Sequence, residues 1–410
     1  PGAAREPETA AALAPLLADR SFAAGASLVF VDGYFAPYLS STGELPPGVI
    51  FDSLAAVLER DPERVMAHLG RHAPDAGAAG SGAPSSGGLA ATATVPAAAS
   101  PFAGAARQPF VALNTAFFAD GVYLELPRGL VLARPLEMVF LATGSGAGPI
   151  VAHLRNLIVL GEASQAAVIE TYSGLAATYF TNVVTEVAAC PAAVLDHYKL
   201  QRESREAFHM ATFQLHGDRD GNLSSHSISL GGGLVRNDIN AWLDGPGIEC
   251  ILNGLYLADG RQLVDHHMRV EHAKPHCASH ELYKGILDGR ARSVFNGLIH
   301  VHPGAQKTDA KQSNRNLLLS ADAIANSNPQ LEIFADDVKC THGSTVGQLD
   351  ADAVFYLRSR GIGKDAARSL LTYAFASDIV QRIKVEPLRR HLEEFLFARL
   401  PRGEVVRQAV

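Results

Sequence analysis

Between Phe110 and Lys339 apolar residues fall into short runs with a period of two, and the three-and-four spacing of helices is hardly found. In "FVALNTAFFADGVYLELPRG", Val122, Leu124 and Leu126 alternate with polar neighbours after an Asp-Gly turn signal, as a half-buried strand does. Similar runs recur as "NLIVLG", "AAVIETY", "AVLDHYKL", "HMATFQL", "SSHSISL", "ILNGLYL", "LVDHHMRV", "SVFNGLIHV" and "RNLLLS". Asp-Gly pairs at Asp220, Asp244, Asp259 and Asp288 mark turns between them. The middle of the chain is therefore expected to be all-β. Pattern alone admits a sandwich, a barrel or a parallel β-helix. Many short strands with small and amide residues scattered through them favour a solenoid, although irregular turn spacing gives no strict repeat.

The flanks read differently. Residues 1–71 carry helix-like stretches, "ETAAALAPLLADR" and "SLAAVLERDPERVMAHLG", around an extended "ASLVFVDGYF". Residues 72–107 are rich in Ala, Gly, Ser and Pro, which cannot bury enough apolar surface to offset ordering entropy, so they are expected to form a mobile linker. The β core is expected over 108–347 and a small helical domain over 348–410. In that domain Asp350 is a fitting N-cap, with Leu349 placed to staple onto Val354. A second helix spans about Asp365 to Ile383, and a third starts at Pro387 and presents Leu388, Leu392, Phe395 and Leu396 on one side. Phe397 falls off that stripe, and its exposure would favour docking.

Composition narrows the class. The 47% hydrophobic and 19% charged content is that of a globular protein, and 410 residues exceed the roughly 250–300 that a single core usually reaches. The four cysteines, Cys190, Cys250, Cys277 and Cys340, form no CxxC pair, so neither a disulfide framework nor a zinc ribbon is indicated. That favours a reducing compartment. With no apolar span of membrane length and no basic-then-apolar leader, a cytoplasmic location is expected. The chain starts at Pro1, and a few residues are expected to precede it. A net charge of -7 argues against nucleic acid as a partner, and the basic residues of the last helices are interleaved with Glu386, Glu393, Glu394 and Glu404.

Candidate chemistry centres on "FADDVKCTHGSTVGQLD", Phe334 to Asp350. If "VKCTH" is extended, Cys340 and His342 project to one face and offer a thiolate and an imidazole to iron or zinc. Lys339 and a protonated His342 would both favour the thiolate. Two ligands do not close a tetrahedral site, so others must come from elsewhere in the chain or from a second subunit. The plainer reading makes Cys340 a small buried hydrophobe and His342 a hydrogen-bonded cap. Asp336 and Asp337 admit a catalytic acid and base on a β-helix carbohydrate-active enzyme, but adjacent strand residues face opposite ways, which suits a turn or an interface better. A histidine-rich stretch, His266, His267, His272, His276, Cys277 and His280, invites a zinc enzyme yet lacks HExxH; structural or surface histidines are the competing reading. GxSxG and Walker A sequences are missing, so neither a serine hydrolase nor bound ATP is expected.

The words "ADDVKCTHGSTVGQLDADAVFYLRSRGI", "AQKTDAKQSNRNLLLS" and "ELYKGILDGRARSVFNGLIHV" closely resemble the SufB/SufD family of the SUF iron-sulfur cluster assembly system. The resemblance runs from about Phe110 to Ile383. It is to the SufD type, since SufB carries an acidic "EHE" type segment where this chain reads "KCTHG". It implies a mainly β fold, a right-handed parallel β-helix core with helical flanks. It also implies a non-catalytic scaffold subunit that pairs with SufB through the β-helix ends, while the C-terminal helical domain holds the ATPase SufC. On this resemblance His342 and Cys340 become ligands of a transient iron-sulfur cluster shared with SufB, or interface residues. Lys339, Asp336 and Asp337 support them, and Phe355, Tyr356, Arg358, Arg360 and Phe397 are the candidates for docking SufC. A flavin is allowed without being called for, and a chain isolated from SufB is expected to be able to pair with itself.

Overall fold

The structure is a computed structural model that describes residues 6–18, 22, 24–71, 108–144 and 148–409. The stretch 72–107, read above as a linker, lies outside the described residues. Helix α1 (Glu6–Ala18) is followed by β1 (Ala26–Val31), β2 (Tyr34–Phe35), β3 (Ile50–Ser53), α2 (Leu54–Arg60), α3 (Pro62–Met66) and α4 (Pro109–Phe117). Next come β4 (Val122–Leu126), β5 (Leu136–Ala142), β6 (Ile150–Leu160), β7 (Gln165–Gly174), β8 (Tyr179–Ala189), β9 (Val194–Arg202), β10 (Phe208–Gly217) and β11 (Asn222–Ser229). The run continues with β12 (Leu234–Leu243), β13 (Glu249–Ala258), β14 (Leu263–His272), β15 (Ala278–Leu287), β16 (Arg292–Val301), β17 (Asp309–Leu318), β18 (Ile324–Ile333) and β19 (Lys339–Gly347). Four helices close the chain: α5 (Ala351–Ser359), α6 (Lys364–Val380), α7 (Glu386–Arg399) and α8 (Gly403–Ala409).

From β5 onward, successive strands go to opposite sheets. One sheet runs β2-β1-β5-β7-β9-β11-β13-β15-β17-β19, the other β3-β4-β6-β8-β10-β12-β14-β16-β18. Pairing is parallel except between β1 and β2 and between β3 and β4. The result is the expected parallel β-helix, a solenoid of about seven turns, with helices at both ends of the sequence. The sheets also begin earlier than residue 108, because β1 and β3 of the N-terminal region add strands to them.

The corners explain why no strict repeat is visible. One corner per turn carries a residue with positive φ: Ala163 (55°), Ala192 (56°), Asp220 (59°), Gly247 (77°), His276 (62°) and Lys307 (63°). The intervals are 29, 28, 27, 29 and 31 residues, read from those positions. Each of these residues donates its backbone N–H to a carbonyl of the next corner, Ala163 to Pro191, Ala192 to Arg219, Asp220 to Pro246, Gly247 to Pro275, His276 to Gln306 and Lys307 to Asp337. A left-handed ladder of hydrogen bonds thus ties the turns together, and only one of its rungs is the glycine that sequence rules look for.

Side chains alternate between the lumen and the outside. The lumen is filled by one apolar cluster running from Leu28 and Phe30 to Ala310, Ala323 and Ala335. Polar residues share that lumen where they satisfy one another: His197 bonds Glu170 (2.8 Å) and Ser225 (2.9 Å), Lys199 donates to Asn237 (2.7 Å), and Tyr256 donates to Asn316 (2.6 Å). At Gly254 and Gly285 an added Cβ would overlap the rings of Tyr283 and Tyr256, so glycine there makes room for the tyrosines.

Both outer faces are covered in part by helices. α6, α7 and α8 lay Tyr373, Ala376, Ile379, Val380, Leu388, Leu392, Leu396 and Val406 on Tyr198, Leu200, Ile228, Leu255 and Ile286 of the first sheet. Lys284 fastens α6 there through Asp378 (2.8 Å) and the Phe375 carbonyl (3.1 Å). On the second sheet α4 is pinned by Asn114, which donates to the carbonyls of Leu154 (2.8 Å) and Asn182 (3.1 Å), beside the buried Arg155–Glu186 pair (2.5 Å). No described helix is long and apolar enough to cross a membrane.

Candidate functional site

Strands β18 and β19 form the last turn, each with an outer edge that no described strand pairs. The chain leaves β19 at Gly347, and Asp350 then caps α5 by accepting the Asp352 N–H at 2.9 Å, as the sequence indicated. Pro329 sits in β18, where a sheet tolerates proline because the strand is at an edge. Ile324, Phe334 and Val346 on this turn are exposed, Phe334 by 60%. The solenoid therefore ends in an open mouth with apolar residues on its rim.

Cys340 and His342 lie in β19, two residues apart on one face. Register decides which face it is. Cys340 pairs with Ala310, a fully buried lumen residue, and His342 pairs with Gln312. Both side chains therefore point toward the lumen, at its mouth. Cys340 is half-buried and packs on the lumen cluster, whereas His342 is exposed. Two further free thiols deeper in the solenoid, Cys250 of β13 and Cys277 just before β15, are buried.

The expectation that Lys339 and His342 favour the thiolate is corrected. Burial pushes the Cys340 thiol up, a backbone hydrogen bond with Ala310 offsets part of this, and the Asp309 carboxylate adds to it. Cys340 is thus a thiol that needs a metal, a base or a rearranged mouth to lose its proton. Among the described residues no group of three or more His, Cys, Asp or Glu ligand atoms includes Cys340 or His342, so the pair is an incomplete ligand set.

Below His342 runs a polar column that the sequence reading missed. Gln312 stands one turn down and Glu281 two turns down, in register, with Gln312 donating to Glu281 at 2.8 Å. Gly297 of the facing sheet leaves the space that Gln312 occupies. Glu281 is buried, and that burial pushes its carboxyl up to about 8, only partly offset by the Gln312 bond. It is a carboxylic acid at neutral pH. The signal for this column is an interval of 31 and then 30 residues, legible only once the length of a turn is known.

The other candidates are sorted by geometry. Asp336 and Asp337 occupy the final corner: Asp336 accepts from Gln306 (2.9 Å), which holds its carboxyl below the ordinary value, and Asp337 is paired with Lys307. They are exposed turn residues already engaged, not an acid and base in a cleft. Lys339 points away from the lumen and is exposed. The histidine-rich stretch is dispersed: His266 and His272 point into the lumen, on Asn237 and on Ser279, His267 lies outside beside Asp265, His276 is a corner rung, and His280 lies on the outer face. Alternation of strand side chains scatters what is dense in sequence, so no zinc enzyme site forms there.

On α5 no residue is buried. Phe355 is 70% and Tyr356 54% exposed, Arg358 is exposed, and the Arg360 guanidinium lies 4.4 Å from the Tyr356 ring centroid. Phe397 is not part of this surface: it is half-buried, with its ring 4.8 Å from that of Tyr373.

Residues 140–375, from β5 into α6, match the family described as SUF system FeS cluster assembly, SufBD core domain. The chain belongs to the SufBD family. It is 36% identical to the iron-sulfur cluster assembly protein SufD of Escherichia coli over 296 residues, 72% of this chain and 70% of that one. A SufBD family protein of Synechocystis is 31% identical over 381 residues, 91% of this chain and 77% of its own length. A Mycobacterium leprae relative is 34% identical over 284 residues, 67% and 71% of the two chains. The chain is thus a SufD-like member of an iron-sulfur cluster assembly family. The family match covers the whole mouth, with Cys340, His342, Gln312 and Glu281, as well as the exposed face of α5.

Proposed function

We propose that this SufD-like chain is a non-catalytic scaffold subunit that pairs through its open mouth with a SufB-type partner and contributes Cys340 and His342 to a nascent cluster held between them. The observation that carries the reading is the incomplete ligand pair on the lumen face of an unpaired edge strand. An edge strand is a template for a strand of another chain, and β19, without proline, keeps every edge donor, whereas Pro329 removes one from β18. The exposed Ile324, Phe334 and Val346 supply apolar rim to bury. In this reading the cluster is cargo. A thiol and an imidazole suit iron, and a set of ligands divided between two subunits can be opened when the interface moves, so the cluster can be released. The exposed aromatic and basic face of α5 is the docking site for a SufC-type ATPase, whose nucleotide cycle drives that movement.

The test is co-expression of this chain with the SufB-like and SufC-like proteins of its own organism, followed by native mass determination and measurement of iron and sulfide. The reading requires an assembly holding all three, and cluster content that falls at least tenfold in Cys340→Ala/His342→Ala while assembly persists. Full cluster content in the double variant would remove these residues from the mechanism. Recovery of this chain alone or only with itself would defeat the scaffold reading.

A further inference from the structure

We infer that the outer face of the second sheet carries a separate site for a divalent transition-metal ion, built from Glu271, His300 and His302. None of the three belongs to the mouth, and the inference stands apart from the proposed scaffold role. The ligating atoms of these residues lie within 4.8 Å of one another. Glu271 of β14 and His300 of β16 are register partners in adjacent turns, so the rigid sheet fixes their separation. His302 follows two residues after His300 and returns to the same outer face, where its Nε2 lies 2.7 Å from Glu271 Oε2. The two imidazole centroids are 4.6 Å apart.

The surroundings are those of a held ligand set. Glu271 is 1% exposed, and its Oε1 is gripped by the Arg269 guanidinium (2.5–2.6 Å), which leaves Oε2 turned toward His302. On the other side Glu332 of β18 bonds His300 Nδ1 at 3.0 Å, the outer carboxylate that commonly orients a metal-binding imidazole. The Phe334 ring, 5.3 Å from His300, covers part of the site. His300 and His302 remain partly open to solvent, so two nitrogens and one carboxylate would leave coordination positions for water.

Two imidazoles and one carboxylate are the donor set of three-ligand zinc sites and of iron(II) centres, and they neither match the oxygen-rich shells of calcium and magnesium nor include a thiolate. Bonds of about 2.0–2.2 Å at a tetrahedral angle separate two ligand atoms by about 3.3 Å. Binding therefore requires His302 to withdraw only slightly from Glu271, with the ion taking the place of the shared proton. His302 is the most exposed of the three, at 36%, and has room to do so.

The test uses the full chain with cobalt(II) alone and then zinc(II) alone, followed by optical spectroscopy and calorimetry. The expected result is one equivalent of cobalt(II) with visible ligand-field bands and no sulfur-to-cobalt charge transfer, displaced by zinc(II). Binding should survive in Cys340→Ala/His342→Ala, disappear in His300→Ala/His302→Ala, and weaken about tenfold in Glu332→Gln, which keeps the fold and removes only the orienting charge. Charge-transfer bands lost in the Cys340→Ala variant would assign the metal to the mouth and overturn the inference. So would unchanged affinity in both His300→Ala/His302→Ala and Glu332→Gln, or no binding by the unaltered chain.

Discussion

Glu281→Gln tests the polar column beneath the mouth quantitatively. Glu281 is buried with its carboxyl pushed from the ordinary 4.5 up to about 8, so the folded chain holds a proton that the unfolded chain releases. Between those values the unfolded state binds fewer protons, and stability falls as pH rises, by about 1.4 kcal/mol per pH unit. From pH 5 to pH 8 Glu281 should therefore lower stability by about 4 kcal/mol. Glutamine has the same shape and retains a carbonyl for the Gln312 amide, yet does not ionise. The assay is thermal or urea unfolding of both proteins from pH 5 to pH 8.5. The stability difference, variant minus native, should be small at pH 5 and grow steadily in favour of the variant up to pH 8. A difference independent of pH would refute the reasoning, and so would one that grows toward acid, because either would mean that Glu281 is ionised in the folded protein.

Three further outcomes follow from the packing. Ala192→Gly relieves a left-handed residue in the corner ladder and should stabilise the chain by about 1 kcal/mol, seen as a raised unfolding midpoint, whereas a lowered one would show the corner to be unstrained. Glu186→Ala removes the carboxylate that balances the buried Arg155 charge, while the bonds of Arg155 to Asn114 and Thr115 persist, and should destabilise by about 3 kcal/mol, with earlier proteolysis around α4 than in the native chain. Phe355→Asp/Tyr356→Ala, on a helix with no buried side chain, should leave unfolding of the isolated chain within about 0.5 kcal/mol of native yet abolish co-purification of a SufC-type ATPase; retained co-purification would move the docking site off α5.

The strand-rich middle and the helical end were legible in the sequence because both rest on short-range rules, alternation within a strand and capping at Asp350. Asp350 and the Leu388, Leu392 and Leu396 stripe lie where those rules put them, and Pro387 sits in the first turn of α7, one residue after its start. On α6 the expected stripe of Ala367, Leu370, Leu371, Ala374, Phe375 and Ile379 is only partly the packed face: Ala374 is exposed, and Ser369, Thr372, Tyr373 and Ala376 are buried instead. The last helix, α8, was not foreseen; it is seven residues long, too short to show a period. The register of the solenoid was out of reach, since turns of 27 to 31 residues leave no fixed repeat and the corner rungs are alanine, aspartate, histidine and lysine as well as glycine. Without register, Cys340 and His342 could be placed on one face but not on the lumen face. Gln312 and Glu281 could not be connected to them, and Glu271 could not be brought to His300. The histidine-rich stretch holds structural and surface histidines, as the favoured reading has it, because neighbours in a strand diverge while residues a full turn apart converge.

The central claim is that the unpaired mouth, with Cys340 and His342 on its inner face, is where a SufB-type partner docks. Hydrogen exchange of the β19 amides, Lys339–Gly347, measured with and without that partner, tests it most directly. The account predicts that the β19 amides not bonded to β17 exchange rapidly in the isolated chain and become strongly protected in the complex, together with the β18 amides not bonded to β16, while α5 responds only to the ATPase. A stable complex in which β19 exchanges as fast as in the free chain would contradict it.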